Sequence, residues 1–153
     1  MRAWVEGHLR AGEPLFGVVL GDRVVGVAGV SSSPSRLRYF RLLPALVRLV
    51  PALRPGAALA LLRATRRPPA IPAPALTLDK IAVLPEFQGR GLGRRLMAHV
   101  HALCASDPEP AGVYLVTVGE GNRSFYEALG YRTVRAVPAA GVTVLHMFLP
   151  RLG

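Results

Sequence analysis

The chain has 153 residues, of which 51% are hydrophobic and 18% are charged, and its formal net charge is +10. A chain of this length can bury a sizeable core as one domain, and its hydrophobic content excludes an intrinsically disordered protein. Eighteen of the 19 basic residues are arginine, and Lys80 is the only lysine. The positive charge favours polyanionic ligands without choosing among nucleotides, nucleic acids and anionic lipids.

Membrane insertion, secretion and metal binding find no support in the sequence. Arginines interrupt the Leu-rich stretch of residues 36–67, so no run approaches the roughly 20 apolar residues of a transmembrane helix. The first residues lack the apolar segment of a signal peptide, and we expect a cytoplasmic protein. Cys104 is the only cysteine, which excludes an internal disulfide. We predict no metal site, because the histidines have no ligand spacing; they are His8, His99, His101 and His146.

The first third of the chain predicts a short helix followed by a β-hairpin. Residues 1–12 are expected to form the helix, which would end near Gly12. Two β-rich runs then follow at Leu15–Leu20 and Val24–Val30. The segment Gly21-Asp22-Arg23 joins them, with a glycine where a tight turn needs positive φ.

Residues 36–75 predict a helical insert that ends in a loop. Prolines at positions 44, 51 and 55 divide the Leu- and Arg-rich part, which favours two or three short helices over one long helix. Four further prolines make residues 66–75 a loop. We expect the insert to pack over one side of the domain or on a partner. The alternative is a basic amphipathic helix over residues 36–66 that lies on an anionic membrane surface.

The second half alternates strands and helices more clearly. Leu92, Leu96, Val100 and Leu103 recur at helical spacing, and Gly130 occupies the position that commonly follows a helix. The predicted elements are strand Leu76–Val83, a helix from about Gly91 to Ser106, strand Val113–Val118, helix Asn122–Leu129, and a hairpin of Arg132–Val137 with Val142–Leu149. We therefore expect a single α/β domain over residues 1–153.

The most informative segment is Gln88-Gly89-Arg90-Gly91-Leu92-Gly93, at a strand-to-helix junction. Three glycines at alternate positions leave the backbone uncovered, so that consecutive N–H groups and the helix dipole can face one anion. Arg90, Arg94 and Arg95 add positive charge, and a diphosphate is the natural ligand. The spacing does not fit a Walker loop or a dinucleotide fingerprint; a glycine-rich turn that only reverses the chain is the remaining alternative.

This junction resembles the signature of the GNAT superfamily of N-acetyltransferases, Gln/Arg-x-x-Gly-x-Gly/Ala at the start of a helix. The preceding segment Ile81-Ala82-Val83-Leu84-Pro85 is similar to the family's lead-in strand, and Asn122–Tyr131 resembles its motif Asn-x-x-x-Tyr-Glu-x-x-Gly-Phe/Tyr. The resemblance extends over roughly residues 14–149. It implies a mixed, mostly antiparallel central sheet flanked by helices, with a pair of strands that splay apart at the cofactor site.

The resemblance also implies that the protein binds acetyl-CoA and transfers the acetyl group to an amine. In the family, amides of the glycine loop hold the coenzyme A diphosphate, and the end of the preceding strand binds the pantetheine arm as an added strand would. The acyl carbonyl would lie near the Val83 N–H. The residues expected at the cofactor are Ile81, Ala82, Val83, Gln88, Gly89, Arg90, Gly91, Leu92, Gly93, Arg94 and Asn122.

For catalysis the resemblance implies Tyr126 as the general acid that protonates the departing thiolate. A structural tyrosine with a locally bonded hydroxyl is the alternative. Asp79, on the strand that enters the site, is expected on the same face as Ile81 and Val83 and is the candidate base. Glu120, which is expected in the loop after the next strand, or ordered water would serve in its place.

The chain departs from the family pattern at its start, where a strand and two helices usually precede the first hairpin. Only about fourteen residues precede Leu15, which implies a truncated start, a more open acceptor pocket, or a homodimer whose second subunit completes the pocket. The acceptor is expected to be a small-molecule amine or a protein amine. An acyl-CoA-binding sensor without activity and a basic nucleic-acid-binding module are the alternative functions, although no specific nucleic-acid motif is present.

Overall fold

The computed structural model describes residues 2–9, 13–32, 63, 66, 70–139 and 141–151. Most of the predicted insert at residues 36–75 lies outside these residues. Within them, no helix is long and apolar enough to cross a membrane. The described part contains these strands and helices: β1 Arg2–Leu9, β2 Glu13–Leu20, β3 Arg23–Ser31, β4 Leu76–Val83, a 3₁₀ turn Pro85–Phe87, α1 Leu92–Ser106, β5 Gly112–Val118, α2 Glu120–Glu127, β6 Arg132–Ala139 and β7 Val142–Pro150.

The prediction of a helix over residues 1–12 is wrong, because Arg2–Leu9 forms strand β1. This strand pairs antiparallel with β2 along its whole length, from Arg2 opposite Leu20 to Leu9 opposite Glu13. An isolated helix this short is marginal in water, whereas the edge of β2 supplies inter-strand hydrogen bonds to the entire segment. A strand does precede the hairpin, as in the family pattern, and only three residues separate it from β2.

Internal contacts divide the chain into two compact units. The first comprises Met1–Ser33, Pro72–Leu115 and Leu149–Gly153, and the second comprises Pro34–Ile71 and Val116–Phe148. The prediction of one domain over residues 1–153 stays a prediction.

The first unit is built on a mixed sheet. Strands β1 to β4 are antiparallel neighbours in chain order, and β4 then pairs in parallel with β5. Helix α1 packs on β2, β3 and β4 and buries Leu96, Met97 and Val100 completely. The mixed sheet and the amphipathic helix confirm the predicted α/β class, and α1 confirms the helix that the spacing of its leucines predicts.

Gly26 allows α1 to lie close to β3. A Cβ atom at this position would lie 3.3 Å from Leu96 Cδ1, closer than most real contacts, and 3.5 Å from Val83 Cγ2, an ordinary van der Waals distance. The glycine therefore brings the helix, and the loop that precedes it, against the end of β4.

The second unit contains α2 and the hairpin of β6 and β7, which pair antiparallel from Arg132 opposite Phe148 to Ala139 opposite Val142. Its apolar side chains pack around β7, where Val144 and Met147 are almost fully buried. Helix α2 starts two residues earlier than predicted and ends before Gly130, whose φ of 91° fits the predicted position after the helix.

Candidate active site

Strand β4 carries a β-bulge at the predicted base. Gly29 and Val30 of β3 are consecutive, yet they oppose Lys80 and Leu78, so Asp79 is an inserted residue. A bulge interrupts the alternation of side chains and redirects the inserted one. The bulge thus interrupts the regular alternation from which a common face of Asp79, Ile81 and Val83 is predicted. These three side chains are nevertheless half-buried, whereas Lys80 and Ala82 are exposed, and the common face stays a prediction.

Past the bulge, the two edges of β4 have different hydrogen-bonding roles. The Leu84 N–H donates to the Val25 carbonyl at 3.0 Å, and hydrogen-bonded pairs alternate along antiparallel strands. By this alternation the backbone groups of Ala82 face β3, and those of Ile81 and Val83 face the opposite edge. Of the three predicted strand residues, Ile81 and Val83 thus offer their backbone groups at that edge, and Ala82 does not.

The parallel pairing at that opposite edge is short. It joins Leu76, Thr77 and Leu78 to residues 113–115 of β5, whereas β4 continues for five more residues to Val83. Within the first unit, the edge of β4 beyond Leu78 is therefore not paired to a parallel neighbour. An extended ligand can hydrogen-bond to such an edge as an added strand does.

The loop between β4 and α1 is held by Gln88, whose side-chain amide Nε2 donates to the Val83 carbonyl at 3.1 Å. Gly89 and Gly91 then adopt φ angles of 71° and 75°, in the left-handed region that favours glycine. A Cβ atom at either glycine would meet no atom within 4 Å. The backbone is therefore open on its outer side, and the glycines are required by conformation rather than by close packing.

Six consecutive amides, from Gly89 to Arg94, donate no hydrogen bond to any part of the chain that the structure describes. The Gln88 N–H bonds to the Pro85 carbonyl, and the Arg95 N–H bonds to the Gly91 carbonyl as the first helical bond of α1. Gly91 is the N-terminal cap of α1 and receives no side-chain bond. Unpaired N–H groups at the positive end of a helix dipole can accept an anion such as a phosphate group.

The charge around this loop is also positive. Arg90, Arg94 and Arg95 are exposed, and the nearby acidic residue Glu86 is engaged by Arg23, with Nη2 2.7 Å from Oε1. A backbone hydrogen bond at Glu86 and then the Arg23 guanidinium hold the pKa of this carboxyl below that of an ordinary glutamate. The carboxylate is thus ionised at neutral pH, but a guanidinium offsets its charge.

The second unit contains a similar strand-to-helix junction. Gly119, with a φ of 85°, is the N-terminal cap of α2, and the Asn122 Nδ2 donates to the Val118 carbonyl at 2.9 Å. Arg123 forms ion pairs with Glu127 at 2.8 Å and Glu120 at 3.8 Å. Glu120, the reserve base, is therefore an exposed residue in the first turn of α2, and the prediction that it lies in a loop is wrong.

Tyr126 is buried, with 6% of its surface exposed. Its ring packs edge-on against Phe125 at 5.1 Å and Tyr131 at 5.7 Å between centroids. Burial raises the pKa of its hydroxyl, so the group is protonated at neutral pH. The hydroxyl forms no hydrogen bond within the described residues, in contrast to the alternative of a locally bonded structural tyrosine.

The predicted site residues thus fall into two sets. Those at the end of β4 and in the glycine loop belong to the first unit, and Asn122 and Tyr126 belong to α2 in the second. Sequence reasoning missed Phe87 and Arg23, which lie beside the loop. Phe87 directly precedes the motif, and its position in the sequence is sufficient to predict that it lies beside the loop. Arg23 is 63 residues from its partner Glu86, and no local pattern in the sequence predicts their contact.

Solved structures support this architecture. The fold is similar to that of a GNAT-family protein from Desulfovibrio desulfuricans, with a TM-score of 0.61 and 19% identity over 92% of this chain and 69% of that one. It is also similar to the ribosomal-protein-S18-alanine N-acetyltransferase from Escherichia coli, with a TM-score of 0.59 and 17% identity over 92% and 70%.

A third similar structure is a protein from Bacillus anthracis described as a streptothricin acetyltransferase, in complex with acetyl coenzyme A. Its TM-score is 0.57 and its identity 12%, over 90% of this chain and 62% of that one. A search of curated proteins finds no significant match. The sequence profile described as "Acetyltransferase (GNAT) domain" matches residues 56–133, slightly more than half of the chain. The chain therefore belongs to the GNAT acetyltransferase family.

Proposed function

We propose that this protein transfers an acetyl group from acetyl-CoA to a primary amine by direct attack in a ternary complex. The observation that carries the proposal is the row of six amides from Gly89 to Arg94 without acceptors in the described chain. In a chain of the acetyltransferase family, the ligand of such a row is the coenzyme A diphosphate. No metal takes part in this proposal.

The cofactor arm would run from the glycine loop along the open edge of β4. Ile81 and Val83 supply backbone groups at that edge for the amides of the pantetheine. The Val83 carbonyl is already bonded to Gln88, which leaves the Val83 N–H for the acyl oxygen. A fixed N–H at this point would stabilise the oxyanion that forms when the amine attacks.

In the reaction, the neutral amine nitrogen forms a bond to the acetyl carbon, and the carbon–sulfur bond of the thioester breaks. The ammonium proton leaves to Asp79, directly or through water, before the attack. Tyr126 donates its hydroxyl proton to the departing thiolate, and the second proton that the nitrogen loses as the amide forms returns to the Tyr126 phenolate through water. No covalent intermediate with the enzyme forms. The raised pKa of Tyr126 keeps this proton available at neutral pH. Glu120 or ordered water is the alternative base.

The acceptor is a small-molecule amine or a protein amine. One solved relative is named for a ribosomal-protein alanine and another for streptothricin, so the panel of candidate acceptors includes an N-terminal alanine peptide and an amino sugar. A lysine peptide and a free amino acid complete it. A cytoplasmic location and a homodimer stay predictions from the sequence.

Calorimetric titration with acetyl-CoA tests the proposal. We expect saturable binding by the wild type and about a hundredfold loss in Gly91→Glu, because at least two charge-assisted hydrogen bonds are lost. Gly141→Glu is the matched control: Gly141 also has positive φ, 83°, and open space around it. Equal binding by wild type and Gly91→Glu would overturn the assignment of the site.

Release of the coenzyme A thiol in the presence of the amine panel then tests catalysis. Thiol release with at least one amine, and its reduction in Asp79→Asn, is the expected result. Binding of acetyl-CoA without thiol release for every amine would instead indicate an acyl-CoA sensor. Binding of nucleic acid at physiological salt, without acetyl-CoA binding, would favour the basic module.

A further inference from the structure

A guanidinium is held over an aromatic ring next to the glycine loop. The Arg90 Cζ lies 5.3 Å from the centroid of the Phe87 ring, and the Arg23 Cζ lies 5.9 Å from the same centroid. Arginine is attracted to the face of an aromatic ring at such distances. Phe87 thus positions two arginines from distant parts of the sequence, one on the β2–β3 hairpin and one within the loop.

The two arginines differ in charge balance. Arg23 is neutralised by Glu86 at 2.7 Å, and its guanidinium donates to that carboxylate. Arg90 has neither an ion pair nor a side-chain hydrogen bond within the described residues, and its side chain is exposed. Of the two, Arg90 alone presents an uncompensated positive charge.

A shallow apolar depression lies beside Arg90. Its lining combines the hairpin with the start of α1 and consists of Val18, Leu20, Val25, Phe87, Arg90 and Leu92. Leu20, at the tip of the hairpin, remains 39% exposed. Arg90 belongs both to this depression and to the glycine loop, so the depression adjoins the open loop amides.

We infer that Arg90, positioned by Phe87, binds the 3′-phosphate of coenzyme A, and that the apolar depression receives the adenosine end of the cofactor. This inference rests on the proposed function. With the diphosphate on the loop amides, the cofactor carries one further phosphate, a monoester with a charge of about −1.5 to −2 at neutral pH. A guanidinium supplies a planar fork of donors for such a group.

The contact with Phe87 is what separates Arg90 from its neighbours. Arg94 and Arg95 are exposed on the first turn of α1 and lie over no aromatic ring among the described residues. A long side chain that is already oriented loses less conformational freedom on binding. Arg90 is thus the arginine best placed to discriminate between cofactors, and Phe87 is its positioning residue.

The test compares coenzyme A with dephospho-coenzyme A, which lacks only the 3′-phosphate, by calorimetric titration at physiological salt. We expect the wild type to bind coenzyme A about tenfold more tightly, the effect of one charge-assisted contact. Arg90→Gln should reduce this ratio to about one by weakening coenzyme A alone. Phe87→Leu should lower the ratio in part, and its thermal unfolding will show that the fold is retained.

Arg135→Gln is the control for general loss of charge, since it removes one exposed arginine from β6; its ratio should equal that of the wild type. Equal weakening of both ligands in Arg90→Gln would assign Arg90 to the diphosphate and overturn the inference. An unchanged ratio in Arg90→Gln would overturn it as well. A wild type that binds neither ligand would overturn the proposed function, and the inference with it.

Discussion

Two strand-to-helix junctions in this protein use the same local construction. At the end of β4 and at the end of β5, a glycine with positive φ caps the following helix, Gly91 at 75° and Gly119 at 85°. In each junction, a carboxamide side chain then donates to the carbonyl of the last strand residue. Gln88 does so for Val83, and Asn122 does so for Val118.

The junctions differ in charge. The first has arginines at positions 90, 94 and 95 and no acidic residue in the first turn of its helix. The second has Glu120 in that turn, paired with Arg123. A carboxylate at a helix N-terminus satisfies the dipole internally, so the second junction is not suited to a phosphate. Backbone shape alone therefore does not make an anion site; the side chains of the first turn decide.

The largest expected effect tests whether the second junction serves chemistry rather than cofactor binding. Tyr126→Phe should lower kcat by about a hundredfold or more, the usual contribution of a general acid, and leave the KM for acetyl-CoA unchanged. Because burial raises the pKa of the hydroxyl, kcat of the wild type should not fall from ionisation of this group below about pH 10, the ordinary tyrosine value. Steady-state kinetics across pH would measure both.

Tyr131→Phe is the matched control, since it removes a hydroxyl from the ring that packs against Tyr126 without touching the proposed acid. A much smaller loss of kcat is expected there. If Tyr126→Phe retains the kcat of the wild type, Tyr126 has no catalytic role. The second junction would then contribute only to the stability of the fold.

The next effect concerns how firmly each helix is packed. Gly26→Val should destabilise the protein by about 1–3 kcal/mol, the cost of overpacking, because its methyl groups overlap Leu96 of α1. Gly121→Ala, in α2, meets no atom within 4 Å and should stabilise the protein by up to about 1 kcal/mol through helix propensity. Urea unfolding measures both changes. Effects of the same sign would show that α1 is not fixed by close packing at Gly26.

The smallest effect tests the two carboxamides. Gln88→Ala and Asn122→Ala should each cost roughly 0.5–1 kcal/mol in the free energy of unfolding, since each removes one exposed hydrogen bond to a carbonyl. Replacement of each carboxamide by the corresponding carboxylate should distinguish the two junctions. Each acidic replacement sets a carboxylate against a strand carbonyl, Val83 for Gln88→Glu and Val118 for Asn122→Asp. Gln88→Glu does so beside the open amides and arginines of the first junction, whereas Asn122→Asp does so beside Glu120, so Gln88→Glu should cost less. Equal costs for the two acidic variants, measured by urea unfolding, would contradict the contrast in charge.

The sequence by itself determined the elements whose signals are local. The leucine spacing of α1, the β-rich run at Leu76–Val83 and the glycines of the loop depend on residues within a few positions of each other, and they fix where the proposed anion site lies. The match of Gln88–Gly93 to the family signature is local in the same way. These features were predictable because backbone conformation and side-chain period are short-range properties.

Tertiary structure decided the features that depend on a partner far along the chain. Residues 2–9 form a strand because the edge of β2 accepts their backbone bonds, and not because of their own propensity. The bulge at Asp79 exists only relative to β3, and Arg23 lies over Phe87 only because the hairpin brings it to Glu86. Pairing register and distant ion pairs are properties of two segments together, so a reading of either segment alone could not find them.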